Sequence, residues 1–270
     1  MTRYTATAID EALASSRPAF IGYLSTGFPS VQGSIDAAKT LVDNGADIIE
    51  LGLPYTDPTM DGKVIQQAGQ AALERGLRTR DVFTAVEQVA GTRAAVVIMT
   101  YYNLVFKYGE ENFARDMANA GGAGLIIPDL IPEEAGPWAA AADAHHLDKI
   151  FLVAPSSTDE RLRITAEASR GFVYAASRMG VTGLQTAISS SARSLVERTR
   201  AAGAPRVAVG IGVSNRDQAQ EVGSYADGVI VGSAFVKPLV ENDTNRAAGL
   251  IELAKVAADI GDGIYTARRN

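Results

Sequence analysis

Three features of the sequence predict an α/β fold built on a parallel sheet. Short apolar and β-branched runs recur along the chain, stretches with helical apolar spacing separate them, and the connections after the runs are rich in Gly, Pro and Asp. Strands that alternate with helices are typical of a parallel sheet covered by helices. The eight predicted strands are Phe20–Leu24, Asp47–Leu51, Ala95–Met99, Gly124–Ile127, Lys149–Val153, Phe172–Ala176, Arg206–Val209 and Gly228–Val231.

Eight strand–helix units are enough to close such a sheet into a barrel. A closed (β/α)8 barrel, the TIM-barrel architecture, has no edge strands, whereas an open doubly wound sheet has two. We therefore predict a single TIM-barrel domain over residues 1–270, with the open sheet as the alternative. Residues up to Ser15 are predicted to form an extra N-terminal helix under the barrel, besides the additional helices between strands. Gly45, Gly121 and Gly203 are placed to end helices just before the next strand.

Composition excludes several functional classes. The chain has 270 residues, 47% of them hydrophobic, and its 25 basic and 31 acidic side chains give a net charge of −6, which argues against nucleic-acid binding. The absence of cysteine excludes disulfides, a thiolate nucleophile and a thiolate metal site. Residues 1–17 contain no continuous apolar segment, so we expect neither a signal peptide nor a membrane span, and a cytoplasmic protein.

Three glycine-bearing loops follow the last three predicted strands. They are Gly180-Val-Thr-Gly183, Gly210-Ile-Gly212 and Gly232-Ser233. Glycine lets several backbone N–H groups approach one anion, and the serine adds a hydroxyl at the predicted start of a helix. Ordinary tight turns would explain any one loop alone. The three together, at the end of a barrel where phosphate often binds, predict a phosphate site.

Two acids near the second strand are candidates for catalysis. Glu50 interrupts an apolar strand near its carboxyl end, where burial raises the pKa of a carboxyl group that has no compensating donor. The loop that follows carries Asp57 and Asp61, and Asp61 is the better candidate for a second carboxylate at the barrel mouth. A salt-bridged structural glutamate and acids that only shape a turn are the alternatives.

Other catalytic chemistries lack suitable residues. Lys149 begins a strand and Lys237 lies beyond the glycine loops, so neither is placed for Schiff-base catalysis. His145 and His146 precede the fifth strand, at the end of the barrel opposite to the predicted site. We predict no metal site and no catalytic triad.

The sequence resembles the alpha subunit of tryptophan synthase over nearly its whole length. The run from Glu50 to Gly62, ELGLPYTDPTMDG, is similar to the family's signature, and SRMGVTG at residues 177–183 supports it. The resemblance implies a metal-free retro-aldol cleavage of indole-3-glycerol phosphate to indole and glyceraldehyde 3-phosphate. It implies that Glu50 is the acid–base residue. It also implies that Asp61 accepts the indole N–H bond and stabilises the ring cation.

The resemblance also implies substrate-binding residues. Gly183, Gly212, Gly232 and Ser233 would hold the glycerol phosphate, which agrees with the glycine-loop argument. A segment from Arg178 to Ser190 would be a lid that brings Thr182 to the acidic loop. Tyr23 and Met99 would line the indole slot, and Tyr174 matches a tyrosine near the family's active site, although plain barrel core is the alternative for each.

A partner chain follows from the same resemblance. The family works as an alpha2-beta2 heterotetramer in which the beta subunit carries pyridoxal phosphate, so no cofactor is expected in this chain. Segments 54–60, 101–106 and 129–133 would face the partner; the interface residues implied are Asp57, Pro58, Asn103 and Asp129. Three residues depart from the family pattern; they are Gly22, Met60 and Lys63.

Two rival functions share part of this pattern. A sugar-phosphate isomerase or epimerase would have the glycine loops but different acids. A non-catalytic regulatory subunit would keep the phosphate site and only activate a partner.

Overall fold

A computed structural model describes residues 2–176, 185–210 and 212–267 of the chain. Its strands are β1 (Ala19–Ser25), β2 (Ile48–Gly52), β3 (Ala95–Met99), β4 (Gly124–Ile126), β5 (Asp148–Ile150), β6 (Leu152–Val153), β7 (Val173–Ala176), β8 (Val207–Gly210) and β9 (Gly228–Val231). The helices are α1 (Thr5–Ala14), α2 (Val31–Asp43), α3 (Lys63–Glu74), α4 (Asp81–Ala90), α5 (Tyr102–Tyr108), α6 (Glu110–Asn119), α7 (Gly136–Ala144), α8 (Asp159–Ala168), α9 (Gln185–Ala201), α10 (Arg216–Gly223), α11 (Ser233–Glu241) and α12 (Arg246–Thr266). A 3-10 helix spans Pro132–Glu134.

The strands form one parallel sheet that curls into a barrel. The strand order is β5-β4-β3-β2-β1-β9-β8-β7-β6, so the two end strands are neighbours in the chain. Phe151 alone separates them, and its carbonyl accepts a hydrogen bond from Tyr174 N at 3.0 Å. This arrangement confirms the predicted barrel and excludes the open sheet.

The predicted fifth strand, Lys149–Val153, is divided in the structure. Its first half pairs with β4 through Ile126 and Ile150, and its second half pairs with β7 through Leu152 and Tyr174. The chain changes partner at Phe151, which is why the sheet has nine strands in the described residues rather than eight. Apolar patterning predicted that a strand exists here but does not reveal where its pairing changes.

Helix α1 closes the amino-terminal end of the barrel, as predicted. Its buried residues Ala8, Ile9 and Ala12 pack against the interior side chains of the strands in one cluster. At the start of α1, Thr5 donates from its backbone N–H and its hydroxyl to the Asp148 carboxylate, at 3.1 and 2.6 Å. The amino-terminal end of the barrel is therefore sealed, and the carboxyl ends of the strands form the open end.

Short connections join the helices to the strands at the sealed end. Gly45, Gly121 and Gly203 adopt φ values of 100°, 82° and 102°, a backbone region that other residues rarely occupy. Each ends a helix a few residues before the next strand, as the sequence predicted. The longer loops consequently lie at the mouth of the barrel.

Gly22, one of the three departures from the family pattern, has a packing explanation. A Cβ atom at this position would lie 2.7 Å from Leu41 Cδ1. The missing side chain lets α2 pack closely against β1. Lys63 begins α3, and Met60 is an exposed side chain in the preceding loop.

No helix in the described part of the chain is long and apolar enough to cross a membrane.

Candidate active site

Glu50 lies inside the barrel near its mouth. Residues of β2 alternate between the inside and the outside of the barrel, and Ile48 belongs to the interior cluster, so Glu50 two residues later also points inward. Only 1% of Glu50 is exposed. The structure confirms the prediction that Glu50 lies within an apolar strand.

Among the described residues, no cation pairs with the Glu50 carboxyl to compensate for its burial. Its Oε2 atom is buried and has no hydrogen-bond partner among the described residues. Burial, together with the nearby negative charge of Asp61, raises the pKa of Glu50 to about 8. At neutral pH the group is therefore mainly a protonated acid, which is able to donate a proton.

Asp61 is the second carboxylate at the mouth. It lies just before α3 and is half-buried, and burial raises its pKa while a hydrogen bond with Tyr101 opposes the rise. The Tyr101 hydroxyl is 3.4 Å from Asp61 Oδ1 and accepts a bond from the Met60 N–H at 2.9 Å. Tyr101 therefore connects the acid to the backbone of its own loop.

Two tyrosines expected to bind the substrate cross the barrel interior above glycines. A Cβ atom on Gly52 would lie 2.1 Å from the Tyr23 hydroxyl, and one on Gly210 would lie 2.2 Å from the Tyr174 hydroxyl. These glycines therefore make room for the phenol groups. Burial raises the pKa of both tyrosines, and the Glu50 charge contributes to both shifts. Both phenols are thus neutral neighbours of Glu50.

A cleft runs from Asp61 toward β1 and β3. Tyr23, Met99 and Asp61 all line it. Apolar groups from the loop after β2 and from α3 complete its walls; they include Leu53, Pro54 and Ile65. An apolar slot with a carboxylate at its side suits a flat aromatic ring that carries one N–H donor.

Two of the three glycine loops follow β8 and β9, and Gly232 of the second lies near cleft residues Tyr23 and Ile65. Gly212 has a φ of 77°, and a Cβ atom there would meet none of the described residues within 4 Å, so these residues leave its backbone open to a ligand. Gly232 precedes α11, and a Cβ atom placed on it would lie 3.6 Å from the Tyr23 ring. Ser233 is the exposed first residue of that helix, where the helix dipole favours an anion. Thr182, Gly183 and most of the predicted lid lie outside the described residues.

The segments predicted to face a partner are in contact with one another. Asn103 donates to the Tyr55 hydroxyl at 3.3 Å, and the Tyr102 N–H donates to Asp129 at 2.9 Å. Asp57, Asn103 and Asp129 are exposed, and Pro58 is half-buried. The same three segments expose large apolar side chains; they are Met60, Phe106 and Ile131.

The described residues contain no group of three or more His, Cys, Asp or Glu side chains arranged to hold a metal ion. His145 and His146 lie between α7 and β5 at the sealed end, and His145 contacts Glu111 at 2.7 Å. They are remote from Glu50, as the sequence predicted.

Three residues of the site were missed by sequence reasoning. Tyr101 lies two residues after β3, and a tyrosine near the carboxyl end of a barrel strand is the signal that would have found it. Ser25 and Thr100 line the cleft with buried hydroxyl groups. Small hydroxyl residues at strand ends are too common for the sequence alone to single them out.

Comparison with known proteins agrees with this geometry. The family described as tryptophan synthase alpha chain matches residues 9–264. The tryptophan synthase alpha chain of Bifidobacterium longum is 56% identical over 259 residues, covering 94% of this chain and 89% of the relative. That of Mycobacterium ulcerans is 54% identical over 255 residues, covering 94% and 92%.

Solved structures show the same similarity. The open form of tryptophan synthase from M. tuberculosis has a TM-score of 0.89 and 48% identity, covering 98% of this chain and 100% of the other. A tryptophan synthase complex from Pyrococcus furiosus has a TM-score of 0.81 and 32% identity, covering 91% and 98%. The chain therefore belongs to the tryptophan synthase alpha chain family, whose members are carbon–carbon lyases of tryptophan biosynthesis.

Proposed function

We propose that this barrel cleaves indole-3-glycerol phosphate to indole and glyceraldehyde 3-phosphate, with Glu50 as the acid–base residue and Asp61 as the stabiliser of the ring cation. The observation that carries the assignment is the Glu50 carboxyl, which is buried at the mouth of the barrel with a raised pKa and an unpartnered oxygen. Structural acids are normally paired when buried, and an acid left unpaired in a cleft is a candidate catalytic group.

The first step of the proposed reaction is protonation of the indole ring. Glu50, protonated at neutral pH, donates its proton to indole carbon three, and the ring becomes a cation. Asp61 accepts the hydrogen bond of the ring N–H, and its negative charge offsets the positive charge that develops there. Asp61 must be ionised for this role, whereas Glu50 must begin as the acid.

The second step breaks the carbon–carbon bond. The Glu50 carboxylate formed in the first step removes the proton from the hydroxyl on the carbon adjacent to the ring. The electrons of that O–H bond form the aldehyde carbonyl, and those of the breaking carbon–carbon bond return to the ring, which releases neutral indole and glyceraldehyde 3-phosphate. Glu50 is protonated again at the end, because it gives one proton to the ring carbon and takes another from the substrate hydroxyl.

The phosphate end of the substrate is assigned to Gly212, Gly232 and Ser233, with Gly183 contributing from the preceding loop. The positive φ of Gly212, the open space at its Cα and the start of α11 support this assignment. Tyr23, Met99 and Tyr174 would hold the indole ring between the two carboxylates, and Thr182 would reach the acidic loop from the lid.

The partner would be a tryptophan synthase beta subunit in an alpha2-beta2 heterotetramer, with pyridoxal phosphate carried by that subunit. The exposed apolar side chains of Met60, Phe106 and Ile131 support a partner surface around Asp57, Pro58, Asn103 and Asp129. We also assign residues 1–270 to one domain and the protein to the cytoplasm.

An assay of indole release from indole-3-glycerol phosphate, with and without a beta subunit, tests this function. We expect release by the isolated chain and a higher rate with the partner. A chain that raises the activity of the partner but releases no indole in either condition would be a regulatory subunit. A chain that is inactive on this substrate but interconverts sugar phosphates would be an isomerase or epimerase.

A further inference from the structure

Two buried hydroxyl groups beside Asp61 have no assigned role. Ser25 ends β1 and is 4% exposed, and Thr100 follows β3 and is 1% exposed. The hydroxyl oxygens of both residues are buried, and neither has a hydrogen-bond partner in the described part of the chain. A buried hydroxyl without a partner is unfavourable, so a pair of them in one cleft indicates a ligand.

The hydroxyl residues line the same cleft as Asp61. Ser25, Thr100, Asp61 and Tyr101 all belong to its wall, and about 20 Å³ of it is open to the centre of a water-sized sphere. Ser25 lies two residues after Tyr23 on the inward side of β1. The Ser25 hydroxyl weakly opposes the rise in the pKa of Tyr23 that burial causes, but no hydrogen bond within 3.5 Å joins the two groups. This space is sufficient for an ordered water molecule with several polar neighbours.

Asp61 needs hydrogen-bond donors that its protein neighbours supply only weakly. The hydrogen bond that Tyr101 gives it is long, at 3.4 Å, and Glu50, Tyr23 and Tyr174 face the same space. None of these groups is a cation. A carboxylate that stabilises a ring cation must nevertheless stay ionised.

We propose that Ser25 and Thr100 form a polar subsite that holds one ordered water against Asp61, which makes them positioning residues for the carboxylate that receives the indole N–H. The hydroxyls bind the water and the water donates to Asp61. This inference rests on the proposed function, since it assumes that Asp61 acts as an ionised group.

The pH dependence of kcat/KM for indole release tests the subsite. In the wild-type protein, kcat/KM should fall at low pH as Asp61 becomes protonated, which is the acid limb of the profile. It should also fall above about pH 8 as Glu50 loses its proton, which is the basic limb. Ser25→Ala and Thr100→Val each remove a hydroxyl and should move the acid limb upward by about one pH unit, since losing a donor favours the protonated carboxyl. Thr100→Ser keeps the hydroxyl and should retain the wild-type limb. Because the two carboxyls interact, both limbs are compared in every variant.

Thr165→Val on α8 is the matched control. Thr165 is also buried with an unpartnered hydroxyl in the described residues, but it does not line the cleft. The acid limb of the Thr165→Val variant should lie at the same pH as that of the wild-type protein. An equal shift in this variant would show that the effect comes from general destabilisation and would overturn the proposal.

A crystal structure of the wild-type protein that resolves waters gives an independent result. We expect one ordered water within hydrogen-bond distance of Ser25 Oγ, Thr100 Oγ1 and Asp61. A cleft without that water, or an unmoved acid limb in both Ser25→Ala and Thr100→Val, would overturn the subsite. Asp61→Asn measured in parallel separates the two failures: wild-type turnover in that variant would contradict the proposed function itself.

Discussion

Buried acids at the two ends of this barrel have opposite surroundings. At the sealed end, Asp47 is 3% exposed and accepts two hydrogen bonds from Arg17, at 2.6 and 2.9 Å, and one from the Phe20 N–H. Asp227 is 4% exposed, pairs with Arg200 at 2.9 Å and accepts from the Val207 N–H at 2.8 Å. At the mouth, Glu50 is 1% exposed and faces another carboxylate, Asp61.

Equal burial therefore has different consequences at the two ends. An acid whose oxygens are bonded to an arginine and to backbone N–H groups fixes the ends of neighbouring strands. An acid without such partners keeps its proton at neutral pH and can exchange it with a substrate. The missing partner, rather than burial, separates the proposed catalytic acid from the structural ones.

Glu50→Gln is the substitution with the largest expected effect on activity. The amide keeps the shape of the side chain but neither donates nor recovers an acid proton, so kcat should fall by about 100-fold or more. Because Glu50 forms no ion pair with the described residues, the variant should fold and unfold like the wild-type protein. The measurements are indole release and thermal unfolding; turnover at the wild-type rate would refute the acid–base role.

Asp61→Asn should have the next largest effect, a decrease in kcat of roughly 10- to 100-fold. The substitution removes the charge that offsets the ring cation but leaves the phosphate end unchanged. Binding of glycerol phosphate, measured by calorimetry, should therefore stay within about twofold of wild type. A large loss of that affinity would place Asp61 at the wrong end of the substrate.

Asp47→Asn makes the same change from acid to amide at the sealed end, and it should affect stability instead of chemistry. It weakens the bidentate pair with Arg17, and breaking a buried pair costs about 3 kcal/mol. Denaturant unfolding should show this loss, while indole release per folded molecule stays at the wild-type level. If Asp47→Asn instead reduced turnover and left stability unchanged, the acids at the two ends of the barrel would not differ in role as described.

Gly212→Val should have the smallest of these effects, about a tenfold increase in KM. The described residues leave space for the side chain, but a φ of 77° is strained for a β-branched residue, and the methyl groups would hinder approach of the phosphate to the backbone. Initial-rate kinetics measure this change. An unaltered KM would indicate that the loop is only a turn.

The sequence allowed the barrel and the position of Glu50 to be predicted because both depend on local patterns. Strand–helix alternation gave the eight repeats, and an acid in an apolar strand is visible in the sequence itself. The division of the fifth strand at Phe151 depends on pairing partners that are distant in the chain.

The surroundings of the acids were also beyond the reach of the sequence. The Arg17–Asp47 pair spans 30 residues, and Ser25, Thr100 and Asp61 meet only after the barrel closes. Nothing in the local sequence distinguishes a buried acid that has a partner from one that does not. Three-dimensional packing makes that distinction.

Titration of the Glu50 carboxyl tests the central claim most directly. NMR of the protein labelled with ¹³C at glutamate side-chain carboxyls, with Glu50→Gln to assign the resonance, reports the pKa of this group in the folded chain. We predict a pKa of about 8, which leaves Glu50 protonated at neutral pH. A value near 4.5, the ordinary value for glutamate, would show that Glu50 is ionised at neutral pH and would contradict its role as the initial proton donor.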